Sequence, residues 1–540
     1  MERTAQAVVS RFPRWWVALL PAAIAGVIWA ASTADTANAQ ETAAVAPAAG
    51  GYKVLPLNPE LLDRKNFGPM KLTKDNILRD ESGREWDDAT KQNMFKSYYS
   101  RYLLPAMTQP DRAGDLSALR QELVEATQKA ANASAREWLK QVALAAGSNF
   151  VKDNYSPAVK INGALLLGEL DDRSPDFLNK VPPTPAAAAL PVLLEAYSAA
   201  DAGDGLQAAA LVGILRHARF NSARWPEADQ QRVFDLAKSL VTADPPANRD
   251  PKAHAWLQAR GAEILVSIPG EPRQAEAYAL LAGLAAGKSD PLARYRAVGL
   301  MGTLGIPAAP TVDADQLAIS WSKLLLTSME STFQSLADFR EAKPSVPGMN
   351  SGTFNPFAGG GYNPFGSGGG PPGPPPGAGG GFGNPYGGGS FNPYGRNRDD
   401  KDKKKKEEEP PVDQPDEVVI ARRAMNSQLE QLLVGLTGKR SPTERGTPAG
   451  GLDKLAAAEP AKGRVAELLT LISDTQAAIN VPTLKTRDEL MAALEGRIAA
   501  LRTFVTLAEP PQATEGEETA ANTEGAAAGT ELTGFASGGQ

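Results

Sequence analysis

Ser156-Pro157-Ala158-Val159-Lys160-Ile161-Asn162-Gly163-Ala164-Leu165-Leu166-Leu167-Gly168-Glu169-Leu170 reads as one helix that carries its own start signal. A proline at the first helical position needs no amide partner, and its fixed φ suits the helix. The serine before it is placed to cap the free amides of the first turn. Valine, alanine and leucine fill most of the remaining positions. Gly163 and Gly168 leave room for a second helix to come close.

The plan recurs along the chain. Asp290-Pro291-Leu292-Ala293-Arg294-Tyr295-Arg296-Ala297-Val298-Gly299-Leu300-Met301-Gly302-Thr303-Leu304-Gly305 repeats it closely. Asp250-Pro251 followed by 256–266 is a looser copy, and 206–215, with a helix to 216, is a fourth without the proline. Superposing the small residue between the late apolar positions aligns Gly168, Gly213, Val266 and Gly302, at intervals of 45, 53 and 36 residues. Helical-hairpin repeats recur every 40–47 residues or so. Partner helices fall between the copies at 186–199, 227–241, 272–286 and 315–341.

Upstream, three more helices are predicted. The first is 88–102, with Met94, Tyr98, Tyr99 and Tyr102 at helical spacing. Next is 116–131, with Leu116, Leu119, Leu123 and Val124 on one face. The third is 135–151, with Trp138, Leu139, Val142, Leu144 and Ala145.

The runs at 157–170 and 290–305 carry a resemblance to the HEAT and armadillo class of helical-repeat proteins over about 130–340. That resemblance implies hairpins stacked into an α-solenoid, since a lone helix cannot bury its apolar stripe and neighbours must supply a continuous core. The expected fold is therefore all-α: a HEAT-like α-solenoid of helical hairpins, interrupted by a long disordered Gly/Pro insertion and ending in a disordered tail.

The expected boundaries follow composition. Residues 1–39 form a signal peptide. Arg3, Arg11 and Arg14 lead an apolar stretch, and Ala37-Asn38-Ala39 before Gln40 suits a signal peptidase, placing cleavage at Ala37, Ala39 and Gln40. The alternative is an uncleaved membrane anchor, for which the apolar run is near the lower length limit. Residues 40–87 form a leader and an irregular N-terminal cap broken by Pro56, Pro59 and Pro69. Residues 88–342 are the repeat domain.

At 343–415 glycine and proline dominate, and too few apolar side chains remain to offset the entropy of ordering. Helices return over 416–508, at 416–436, 463–479 and 484–507. The Gly/Pro stretch is either a linker between domains or an insertion inside one helical hairpin, with the hairpin favoured because three helices make a small core. Residues 509–540 hold six glutamates and no basic residue.

Composition narrows the function classes. The chain has 540 residues, no cysteine, two histidines (His217 and His254) and a formal net charge of -6. Disulfides, thiolate metal sites and cysteine nucleophiles are thereby removed. The mildly acidic balance argues against a nucleic-acid partner, which needs a clustered basic face. No catalytic residue, cofactor or metal is assigned.

Gly283-Leu284-Ala285-Ala286-Gly287-Lys288-Ser289 imitates a phosphate loop, but Ala282 stands where glycine is needed and a helix, not a strand, precedes it. The glycine-dense 368–373 matches a dinucleotide fingerprint by density alone. His217 and His254 are expected at the surface or part-buried, tied to local backbone. Asp87-Asp88 and Asp171-Asp172 are expected at helix ends and caps.

Four Asn-Pro-aromatic units place Phe357, Phe365, Tyr386 and Tyr394 in glycine, as spacer repeats or as contact points on a tether. The reading is an exported protein, periplasmic or extracellular, that binds a protein or envelope component without catalysis. A carboxylate-dependent helical hydrolase or enzyme accessory, and a membrane-tethered structural component, are the alternatives. A membrane is a partner only if the leader is retained.

Overall fold

A computed structural model describes residues 51–176, 178–307, 312–339, 414–439 and 450–508. The described chain is predominantly helical. Its main helices are α1 (Arg64–Arg79), α2 (Ala89–Ser97), α3 (Leu116–Lys129), α4 (Ala133–Lys152), α5 (Pro157–Glu169), α6 (Ala189–Ser198), α7 (Asp204–Asn221), α8 (Glu227–Thr242), α9 (Pro251–Ser267), α10 (Glu271–Ala286), α11 (Pro291–Thr303), α12 (Ala314–Ala337), α13 (Asp416–Thr437), α14 (Ala461–Ile479) and α15 (Arg487–Ala508). Two short strands, β1 (Asp171–Arg173) and β2 (Thr184–Pro185), pair antiparallel after α5.

The start signals act as the chemistry requires at two of three sites. Asp250 accepts from the Lys252 amide ahead of Pro251, and Asp290 from the Leu292 amide ahead of Pro291. Ser156 makes no cap hydrogen bond, so Pro157 alone opens α5.

The helices form two layers. In one, α3, α5, α7, α9, α11 and α13 lie side by side in that order. In the other, α4 meets α6, and α8, α10 and α12 follow one another. Each of α5, α7, α9 and α11 also packs on the helix before it in sequence. A connected set of buried apolar side chains runs from Met70 to Phe504, with Trp321, Phe150 and Phe234 among its largest members.

The glycines of the repeated plan sit where helices nearly touch. A Cβ on Gly163 would stand 2.7 Å from the Phe150 Cβ, and one on Gly302 would stand 1.9 Å from the Val434 carbonyl oxygen. The second contact docks α13 on α11. Residues 340–413, outside the described set, separate α12 from α13 in sequence. Beyond α13, α14 and α15 pack on α12, with Arg464 paired to Asp315 and Arg502 Nε donating to Glu330 over 2.9 Å.

Three local expectations change. The cap region contains a regular 16-residue helix, α1, with Pro69 inside it. Met70 and Ile77 are buried there, and that burial offsets the hydrogen bond that proline forfeits. The helix expected over 88–102 is α2 followed by a π-helical stretch, Tyr98–Leu103, and a short turn, Leu104–Ala106. The wider coil seats Tyr98, Tyr99 and Leu103 in the core together. The helix expected to end at 216 runs on to Asn221, which turns His217 inward.

Candidate binding face

The layer α3–α5–α7–α9–α11 is crossed by a ladder of charged side chains. At its start, Arg120 on α3 donates from Nη1 to Asn162 Oδ1 (2.7 Å) and from Nε to Glu169 Oε2 (3.2 Å), both on α5. Just past α5, Asp171 receives Arg216 Nη2 of α7 at 2.6 Å, while Arg216 Nη1 donates to the Gly168 carbonyl at 3.1 Å. Burial pushes both acids up from their ordinary pKa. The guanidiniums of Arg120 and Arg216 work against that shift.

The ladder ends in a cluster around Glu263 of α9, whose side chain is 3% exposed. Arg219 Nη2 of α7 lies 2.5 Å from Oε2, Arg296 Nε of α11 lies 2.7 Å from Oε1, and Arg260 Nη1 reaches both oxygens at 2.9 Å. One carboxylate serves three guanidiniums. Arg260 Nε is buried without an acceptor. Five arginines along the ladder face three acids, which leaves a surplus of two positive charges.

Apolar side chains accompany these arginines. Val212, Arg216 and Phe220 succeed one another at helical spacing on α7, and the Arg216 guanidinium lies 6.0 Å from the Phe220 ring centre. Arg260 lies 5.1 Å from the ring centre of Trp256, one turn earlier on α9. Leu292 precedes Arg296 by one turn on α11. Val212, Phe220 and Leu292 are exposed. The face thus pairs exposed apolar surface with guanidiniums already stripped of part of their water. Guanidiniums so placed can donate to a carboxylate or another planar acceptor.

Of the histidines and paired carboxylates singled out from sequence, Asp171 alone joins the ladder. His217 is fully buried, and neither ring nitrogen has a partner, contrary to the expected tie to local backbone. Burial, with Arg216 adjacent, holds its pKa down at about 4. His254 is also buried, and its Nε2 sits 3.0 Å from the Ala243 carbonyl oxygen. Asp88 caps α2 through the Thr90 and Lys91 amides. Asp171 is not a cap: it belongs to β1 and the ladder.

Gly283 and Leu284 lie inside α10, and the Gly287 amide closes its end on the Leu284 carbonyl. A cleft of about 430 Å³ between α8, α9 and α10 is lined by Lys238, Asp244, Gln258, Glu276, Gly283 and Ser289, with Lys238 paired to Glu276. Among the described residues no three His, Asp or Glu side chains converge as a metal ion requires, and no helix is long and apolar enough to cross a membrane. Ala37, Ala39, Gln40, Phe357, Phe365, Tyr386 and Tyr394 lie outside the described residues.

Sequence reading missed the ladder. Its trace is there, as Arg216-x-x-Arg219 and Arg260-x-x-Glu263, with Arg296 on the next helix of the layer. Charges on a helix ordinarily mean a solvated face, and nothing in their spacing said that Glu263 would be covered.

No protein-family model, no curated protein and no solved structure matches the chain.

Proposed function

We propose that the chain is an α-solenoid of HEAT-like hairpins that works as an exported, non-catalytic binding or scaffold protein. Its partner, a protein or another envelope component, is held on the face built by α5, α7, α9 and α11. The observation that carries this reading is the arginine ladder, set among Val212, Phe220 and Leu292 on neighbouring helices. The two-layer packing supports the repeat reading, because each hairpin adds one helix to each layer. The 340–413 stretch then becomes an insertion between the two helices of the α12–α13 hairpin, and Phe357, Phe365, Tyr386 and Tyr394 become tether contacts.

Site-specific photo-crosslinking tests the face. A crosslinker at Phe220 or Leu292 is expected to capture one dominant partner from envelope extract. The same group at the exposed Arg232, on α8 of the other layer, captures none. Equal capture at all three positions, or none at any, removes the proposed face. N-terminal sequencing of the mature protein tests export: a start at Gln40 supports it, and an intact Met1 or Glu2 supports anchoring.

A further inference from the structure

We propose that Arg219, Arg260 and Arg296 recognise the carboxylates of an acidic, partly apolar peptide laid across α7, α9 and α11. This rests on the binding-face proposal and names the chemistry of its partner. Each guanidinium has five N–H donors. Glu263 takes one nitrogen from each arginine: Nη2 of Arg219, Nη1 of Arg260 and Nε of Arg296. The arginine side chains are 46%, 32% and 36% exposed, against 3% for the carboxylate. Glu263 therefore lies beneath a lid of three positive groups and neutralises only one of them.

All three arginines converge on one carboxylate, so their remaining N–H donors form a single positive patch that would take one acidic side chain of the peptide or two close together. Phe220, Trp256 and Leu292 lie beside these arginines and would receive apolar residues on either side of the acidic one. That interleaving favours a peptide over a phosphate polymer, which would find no continuous basic track on a chain of net charge -6.

The test uses the full chain and a labelled peptide, Glu-Leu-Ala repeated, with Gln-Leu-Ala repeated as the uncharged control, read by fluorescence anisotropy. The acidic peptide is expected to bind and the control not to, with binding fading as salt rises. Arg219→Gln and Arg296→Gln each weaken it by about tenfold. Glu263→Gln withdraws the competing charge but leaves all three arginines, so it is expected to tighten binding several-fold, whereas a purely structural cluster would lose binding. Arg232→Gln is neutral.

Equal affinity for both peptides overturns the proposal, and so does weakening by Glu263→Gln. Arginine-dependent binding of phosphatidylglycerol vesicles in place of the peptide overturns it as well. If crosslinking still captures a partner at Phe220 and Leu292, such a failure removes the acidic specificity and leaves the face standing.

Discussion

Gly168 of α5 and Gly213 of α7 meet so closely that a Cβ on Gly168 would stand 2.8 Å from the Gly213 Cα. Both sides of that contact are backbone, so no side-chain rotation could relieve an added methyl group. The same device recurs farther along, where Gly302 of α11 meets the backbone of Val434 and Gly435 on α13. Close approach lets each helix bury more of its neighbour, and it makes these positions intolerant of any side chain.

Gly302→Ala is accordingly expected to destabilise the protein by about 3 kcal/mol, since α11 and α13 must separate. Gly283→Ala provides the contrast. Its Cβ meets nothing within 4 Å, and the helix gains from a residue with less backbone freedom to lose. That variant is expected to gain about 0.5–1 kcal/mol. Urea melts of the two variants check the pair; equal effects would mean that α13 does not dock on α11.

Removing the carboxylate beneath the arginines should unsettle three helices at once. Glu263→Ala leaves Arg219, Arg260 and Arg296 facing one another without a counter-ion. The guanidiniums can turn partly into water, so the expected cost is about 2 kcal/mol rather than that of a fully buried charge. Thermal denaturation measures it. A double-mutant cycle with Arg219→Gln is expected to show coupling of about 1 kcal/mol, and additivity would contradict the contact.

His217 makes stability depend on pH. In the folded chain the ring stays neutral down to about pH 4, whereas the unfolded chain takes up a proton near 6.5. The unfolded state therefore binds more protons between those values. This group's contribution is complete above about 6.5 and is lost as pH falls toward 4. The loss is on the order of 3 kcal/mol. Denaturant midpoints of the wild type and of His217→Leu, compared at pH 7 and pH 4.5, check it. The variant is expected to lose less on acidification, and an unchanged difference would count against burial of the neutral ring.

Residues 414–508 should remain joined to the rest by packing alone. Leu432 and Leu436 are fully buried on α13, and Arg464, Arg487 and Arg502 reach Asp315, the Phe339 carbonyl and Glu330. Co-expressed as separate chains, 51–339 and 414–508 are expected to co-purify as a one-to-one complex. Separate elution in size-exclusion chromatography would contradict the shared core.

Helix type and most helix positions were legible because they are local. The Ser-Pro and Asp-Pro starts and the apolar period act within a few residues, whereas the glycines at 163, 168, 213 and 302 show only small size locally and meet their partners on other helices. The misses share a cause. Pro69 is a breaker locally, yet it is carried inside α1 by the burial of Met70 and Ile77. The π-helical Tyr98–Leu103 has the local pattern of an α-helix, and its wider coil goes with the seating of Tyr98, Tyr99 and Leu103 in the core. His217 and Glu263 look like ordinary polar residues until a neighbouring helix covers them.

By itself the amino-acid sequence settled that this protein is helical, where most helices start, and that no cysteine chemistry is available to it. Those properties come from backbone sterics, side-chain period and composition, and need no distant partner. Tertiary structure alone decided that α13 continues the layer begun by α3, and that five arginines and three acids from separate helices form one ladder. Such contacts join residues tens of positions apart, and only the stacking of whole helices brings them within hydrogen-bond reach.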